Sequence, residues 1–162
     1  MMLKTMKYAL IASLAWSATA CDEDEGTGPG VSTEFSADLQ GANERPEPVT
    51  TDAEGSATVV LNDAAETITY TVTVSDLVNV SLAHIHTGGS NETGPPVVTL
   101  LGTAMAGPVN GVLATGTVGI SGITGETYAS LAQKIRAGNA YINVHTVANP
   151  NGEIRGQLEA EN

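Results

Sequence analysis

Thr67-Ile68-Thr69-Tyr70-Thr71-Val72-Thr73-Val74 decides the fold class. Apolar residues alternate strictly with threonine, and both kinds are β-branched or aromatic. Such a period of two belongs to a strand with one face buried and the other wet. The same alternation runs on both sides. Upstream, Phe35, Ala37 and Leu39 alternate with polar neighbours, as do Ala57, Val59 and Leu61. Downstream, strands are expected at 80–87, 96–103, 111–119, 139–147 and 153–160. Between them stand the breakers Pro46 and Pro48, Gly88-Gly89, Gly94-Pro95-Pro96, Gly107-Pro108 and Asn149-Pro150-Asn151-Gly152.

One segment changes period. Tyr128, Leu131, Ala132 and Ile135 fall at i, i+3, i+4 and i+7 and are followed by Gly138. This predicts a short helix over 127–137, with Lys134 and Arg136 placed to suit the dipole in its last turn. About eight strands and one helix give an all-β chain, an immunoglobulin-like or Greek-key β-sandwich or barrel.

The final hairpin allows a register to be tested. A turn at Asn149-Pro150-Asn151-Gly152 with a bulge at Gly152 sets His145 opposite Gln157. Glu153 and Arg155 then share the face of His145, and Ile142, Val144, Ile154 and Leu158 share the other.

The amino terminus carries a different message. Lys4 and Lys7 precede an apolar run at 8–16 (YALIASLAW), which leads to Ser17-Ala18-Thr19-Ala20 and then Cys21. This is the pattern of a signal peptide over 1–20; the run is about half of what spans a bilayer. Cys21, the chain's one cysteine, sits where the lipobox of bacterial lipoproteins places its acylated residue, although Ala18 stands where leucine is commonest. The alternative is ordinary cleavage after Ala18-Thr19-Ala20. Residues 21–31 hold Asp22-Glu23-Asp24-Glu25 and a Gly/Pro stretch with nothing to bury, a solvated linker. The reading is a lipidated Cys21, a linker over 21–31 and a domain over 32–162. Such a chain is exported and anchored to a bacterial membrane, periplasmic or at the cell surface. A single cysteine leaves no disulfide within the chain, so the core alone must hold the domain.

Charge removes one class of partner. Lys+Arg is 6 against Asp+Glu 18, a net charge of −12. Phosphate contacts to a nucleic acid need the opposite balance. No strand reads as apolar on both faces, so a monomer is expected.

The chain has three histidines. His84 and His86 lie two apart on a strand and project from one face about 7 Å apart. His145, in Asn143-Val144-His145-Thr146, faces away from its apolar neighbours. If these strands meet, three imidazoles gather on one patch and can bind copper or zinc with one coordination position left open. Glu153, Glu92 and Asp76 are candidate carboxylate ligands or supports. Binding should weaken as pH falls through the histidine range near 6.5. The competing reading makes these rings polar outer-face residues that tie loops by hydrogen bonds. Catalytic residues are not apparent: there is no G-x-S-x-G serine and no phosphate loop. A binding role is therefore favoured over an enzymatic one.

Three blocks resemble the signatures of the chordin-type (CHRD) domain. They are Leu39-Gln40-Gly41-Ala42-Asn43-Glu44-Arg45-Pro46, Ala83-His84-Ile85-His86-Thr87-Gly88, and Tyr141-Ile142-Asn143-Val144-His145-Thr146 with Asn149-Pro150-Asn151-Gly152-Glu153-Ile154-Arg155-Gly156-Gln157. The resemblance runs from about 33 to 160 and implies a secreted or surface immunoglobulin-like β-barrel that binds an unassigned protein or small ligand. The cysteine-rich modules of animal chordin are missing, so growth-factor binding is not implied. The His-x-His strand is also similar to the copper strand of copper–zinc superoxide dismutases, but the further histidines and the disulfide of that family are absent.

Overall fold

The computed structural model describes residues 33–161. The expected signal peptide at 1–20, lipidated Cys21 and linker over 21–31 lie outside the described residues. The described chain runs β1 (Glu34–Gln40), β2 (Glu54–Asn62), β3 (Thr67–Thr87), β4 (Pro96–Leu101), β5 (Met105–Val118), α1 (Tyr128–Arg136), β6 (Ala140–Thr146), β7 (Ile154–Gln157) and β8 (Glu159–Ala160). Thus eight strands and one helix are present among these residues.

Five strands close on themselves. β1 pairs with β2, β2 with β3, β3 with β6, β6 with β7, and β7 with β1, all antiparallel. The barrel is filled by the apolar half of each alternating pattern. Phe35, Leu39, Val59, Ile68, Val72, Ile85, Ile142, Val144, Ile154 and Leu158 are all buried. β4 and β5 extend the sheet from β3, and β8 adds to β1.

β3 joins two strands that the sequence presents as separate. It runs unbroken for 21 residues, although Asp76 and Asn79 sit at φ 57° and 54°. Asp and Asn tolerate this left-handed region better than most residues. Neighbouring side chains keep the ladder supplied through the bends. The Asn110 Oδ1 accepts from Asp76 N at 2.9 Å, and the Asn79 Oδ1 accepts from Gly107 N at 2.8 Å. As a result the first half of β3 pairs with β2 and β5, and the second half, which carries His84 and His86, pairs with β4 and β6.

The helix forms where its period predicts. Thr127 caps it by accepting from Ser130 N at 3.2 Å, and Gly138 follows at φ 68°. Tyr128, Leu131, Ala132 and Ile135 are the buried stripe.

The last hairpin keeps its faces but not its register. Tyr141 pairs with Gln157, Asn143 with Arg155 and Val144 with Ile154, so the expected pairing of His145 with Gln157 is off by four residues. The connection is a wider loop than a bulged turn. Thr146 Oγ1 donates to Glu153 Oε2 at 2.6 Å and accepts from Asn149 N at 3.1 Å, which holds the loop open. An even shift leaves every side chain on its predicted face. A second difference lies in β6, which is buried on both faces. Its outer face is polar and aromatic, and loops cover it.

Candidate metal site

The outer face of β3 and β6 brings the three histidines together. His86 pairs across the ladder with Tyr141, and His84 with Asn143, so the register sets His145 diagonally from His84. Ring centroids are 5.5 Å apart for His84 and His86, 5.2 Å for His84 and His145, and 5.8 Å for His86 and His145. One ligand nitrogen from each ring lies within 4.8 Å of the others.

Two loops fix the rings. His86 Nδ1 is 2.8 Å from the Gly94 carbonyl oxygen, and His145 Nδ1 is 3.1 Å from that of Pro150. A carbonyl only accepts, so Nδ1 carries the proton in both rings and Nε2 presents a lone pair. Those Nε2 atoms, together with His84 Nδ1, are buried without a hydrogen-bond partner among the described residues. Buried polar atoms in native proteins are nearly always satisfied. Two open acceptors, His86 Nε2 and His145 Nε2, and an unpartnered His84 Nδ1 therefore meet on one patch, where Glu44 Oε1 and Asn143 Oδ1 are unpartnered as well.

The rings stay neutral at neutral pH. Burial pushes the His84 pKa down to about 4, and repulsion from His145 and His86 adds to the shift. Burial also lowers the pKa of His86 and of His145, against the hydrogen bonds to Gly94 and Pro150. A neutral ring is the form that ligates.

The carboxylates proposed from sequence do not join this cluster. Glu153 has both oxygens occupied, accepting from Thr51 Oγ1 at 2.8 Å and from Thr146 Oγ1 at 2.6 Å. Burial raises its pKa, but these bonds and one from Asn149 bring it below the ordinary value. It is a loop tie. Glu92 accepts from Gly89 N at 3.0 Å on an exposed loop. Asp76 sits at the bend of β3, remote from His84 in the strand.

Sequence reasoning missed the groups packed around the histidines. Tyr141 stacks on His86 at 5.0 Å between centroids and 17° between planes, and the Arg155 guanidinium lies 3.5 Å from the Tyr141 centroid. Glu44 is buried beside Asn143, which donates through Nδ2 to Glu44 Oε2 at 3.3 Å. Burial pushes the Glu44 pKa up to about 7, against the pull of Asn143 and Arg155. The available signal was period: Arg155 alternates with Glu153 and Gln157 on the histidine face, inside a segment too apolar on its other side to be an exposed edge.

A family model for the CHRD domain matches residues 35–158. The chain belongs to the CHRD family. The match covers the whole barrel and all three histidines of this CHRD domain. No curated protein and no solved structure matches the chain.

Proposed function

We propose that this CHRD protein is an exported, lipid-anchored binding module whose ligand is a copper or zinc ion held by His84, His86 and His145. The supporting observation is the trio of buried, unpartnered ring nitrogens on one patch. Backbone carbonyls fix the tautomers of His86 and His145, which is the outer-shell support that metal-binding imidazoles ordinarily have. Around a tetrahedral ion at ~2.0–2.1 Å the nitrogens stand about 3.3 Å apart. The rings of the free domain need to close by little more than a bond length. Three imidazoles leave a fourth position for water or an external ligand, and so the site suits capture or delivery of the ion.

The barrel then serves as the immunoglobulin-like scaffold that presents the site. Cys21, acylated after removal of residues 1–20, is the tether, and the acidic linker holds the domain off an anionic membrane surface. In a second reading, the loops at 46–52 and 88–96 bind a protein or small ligand; Arg45 and Asn91, one from each loop region, meet at 3.4 Å.

Calorimetric titration with Zn(II) and Cu(II) tests the metal reading. One equivalent should bind, and His145→Ala should weaken binding by more than the ~10–100-fold that loss of an outer-shell partner costs. Equally weak binding by both proteins would leave the loop reading.

A further inference from the structure

The described residues carry four basic side chains, and two of them are neutralised. Lys134 pairs with Glu126 at 2.8 Å and Arg136 with Asp63 at 2.7 Å. Arg45 and Arg155 have no carboxylate within ion-pair distance among the described residues, in a chain of net charge −12. Both border one cavity of about 280 Å³ outside the barrel wall. We infer that this cavity binds a small oxyanion, a carboxylate- or phosphate-bearing molecule, between Arg45 and Arg155.

Both guanidinium groups are held in place by neutral acceptors. Arg155 donates through Nη2 to the Gly89 carbonyl at 2.9 Å, and the Tyr141 ring fixes the plane of the fork. Arg45 donates through Nη1 to the carbonyls of Glu44 at 2.7 Å and Ala42 at 3.2 Å, and through Nη2 to Asn91 Oδ1 at 3.4 Å. A carbonyl positions the fork without forming an ion pair, and Glu44 attracts the two arginines only from beyond ion-pair distance. An arginine has five N–H donors, and only one of those on Arg155 is used by a described residue. Planar forks with spare donors match carboxylate and phosphate oxygens two at a time.

Ser36 and Ser90 add hydroxyls at the edge of the cavity, and Asp38 and Glu159 add carboxylates. The carboxylates oppose a highly charged ligand and can accept from hydroxyl groups. The favoured ligand is thus a small oxyanion of low charge bearing hydroxyls. This inference stands apart from the metal reading, since no histidine borders the cavity.

The test is an NMR titration of the protein, following arginine Nε–H signals, with inorganic phosphate and with glucuronate against sodium chloride at matched ionic strength. Arg45 and Arg155 signals should shift and saturate, and Arg45→Ala should weaken binding ~10-fold, as expected for one lost hydrogen bond to a charged group. Saturation by phosphate alone, or by glucuronate alone, supports the site and assigns its source. Arg155→Lys keeps the charge and removes the fork, and should weaken binding too; if that buried variant fails to fold, the half-buried Arg45 carries the test. Shifts that follow ionic strength only, or saturation untouched by Arg45→Ala, would overturn the inference.

Discussion

Tyr141 is sandwiched between His86 and Arg155, with the imidazole stacked at 5.0 Å and the guanidinium 3.5 Å from the ring centroid. The order of the strands explains this: β6 lies between β3 and β7, so one ring on β6 touches a side chain from each neighbour. The hydroxyl also accepts from Gly94 N at 3.1 Å, the residue whose carbonyl holds His86.

Two substitutions at Tyr141 should therefore separate packing from hydrogen bonding. Tyr141→Phe keeps the ring and loses the hydroxyl's two hydrogen bonds with Gly94, at 3.1 Å and a longer 3.5 Å, a cost of about 0.5–1.5 kcal/mol for each well-formed bond. Tyr141→Ala empties the centre of the stack and should cost about 3–5 kcal/mol, as aromatic truncations in well-packed sites do. Chemical denaturation measures both.

Glu44 predicts a pH dependence. Its pKa is near 7 in the folded protein against an ordinary 4.5, because burial disfavours the charged form. Between these values the folded state holds a proton that the unfolded chain has released. The contribution is present below 4.5 and is lost as pH rises through 7. Glu44→Gln stays neutral and can pair with both Asn143 amide atoms. It should stabilise the domain by less than ~1 kcal/mol at pH 5 and by ~3 kcal/mol at pH 8, by the conversion of about 1.4 kcal/mol per pKa unit. Denaturation curves at the two pH values read this directly.

Gly152 is a tight point of the loop that holds His145. Its φ is 133°, and a Cβ there would collide with the side chains of Asn143 and Glu44. Gly152→Ala should destabilise the domain by more than ~1 kcal/mol, because the native backbone is incompatible with alanine. Thermal unfolding checks it.

The proposed attachment to a membrane rests on Cys21. Replacing Cys21 with Ser should move the protein from the membrane fraction to the soluble fraction of cells that express it. Retention in the membrane would remove lipidation as the anchor.

The strands around Thr67–Val74, the helix at Tyr128–Arg136 and the meeting of three histidines were legible because periods of 2 and 3.6 are local signals. Closure of the barrel was not, because it depends on pairing between β1 and β7, far apart in the chain. The continuity of β3 was hidden by Asp76 and Asn79, whose composition reads as a turn while their side-chain partners preserve the ladder. Glu153, a possible ligand by sequence, is engaged away from the histidines for a similar reason. It stands on the right face, but Thr51 and Thr146 claim its oxygens, and Thr51 comes from a distant loop. Face is set by sequence parity; partners are set by tertiary contact.

One metal ion is proposed to sit on His84 Nδ1, His86 Nε2 and His145 Nε2. Nitrogen-15 spectra of the histidine rings during titration with Zn(II) report those atoms individually. His86 and His145 should begin with the proton on Nδ1. At one equivalent, His84 Nδ1, His86 Nε2 and His145 Nε2 should then shift together and stop shifting. Rings that start as the other tautomer, or that stay unmoved past one equivalent, would contradict it.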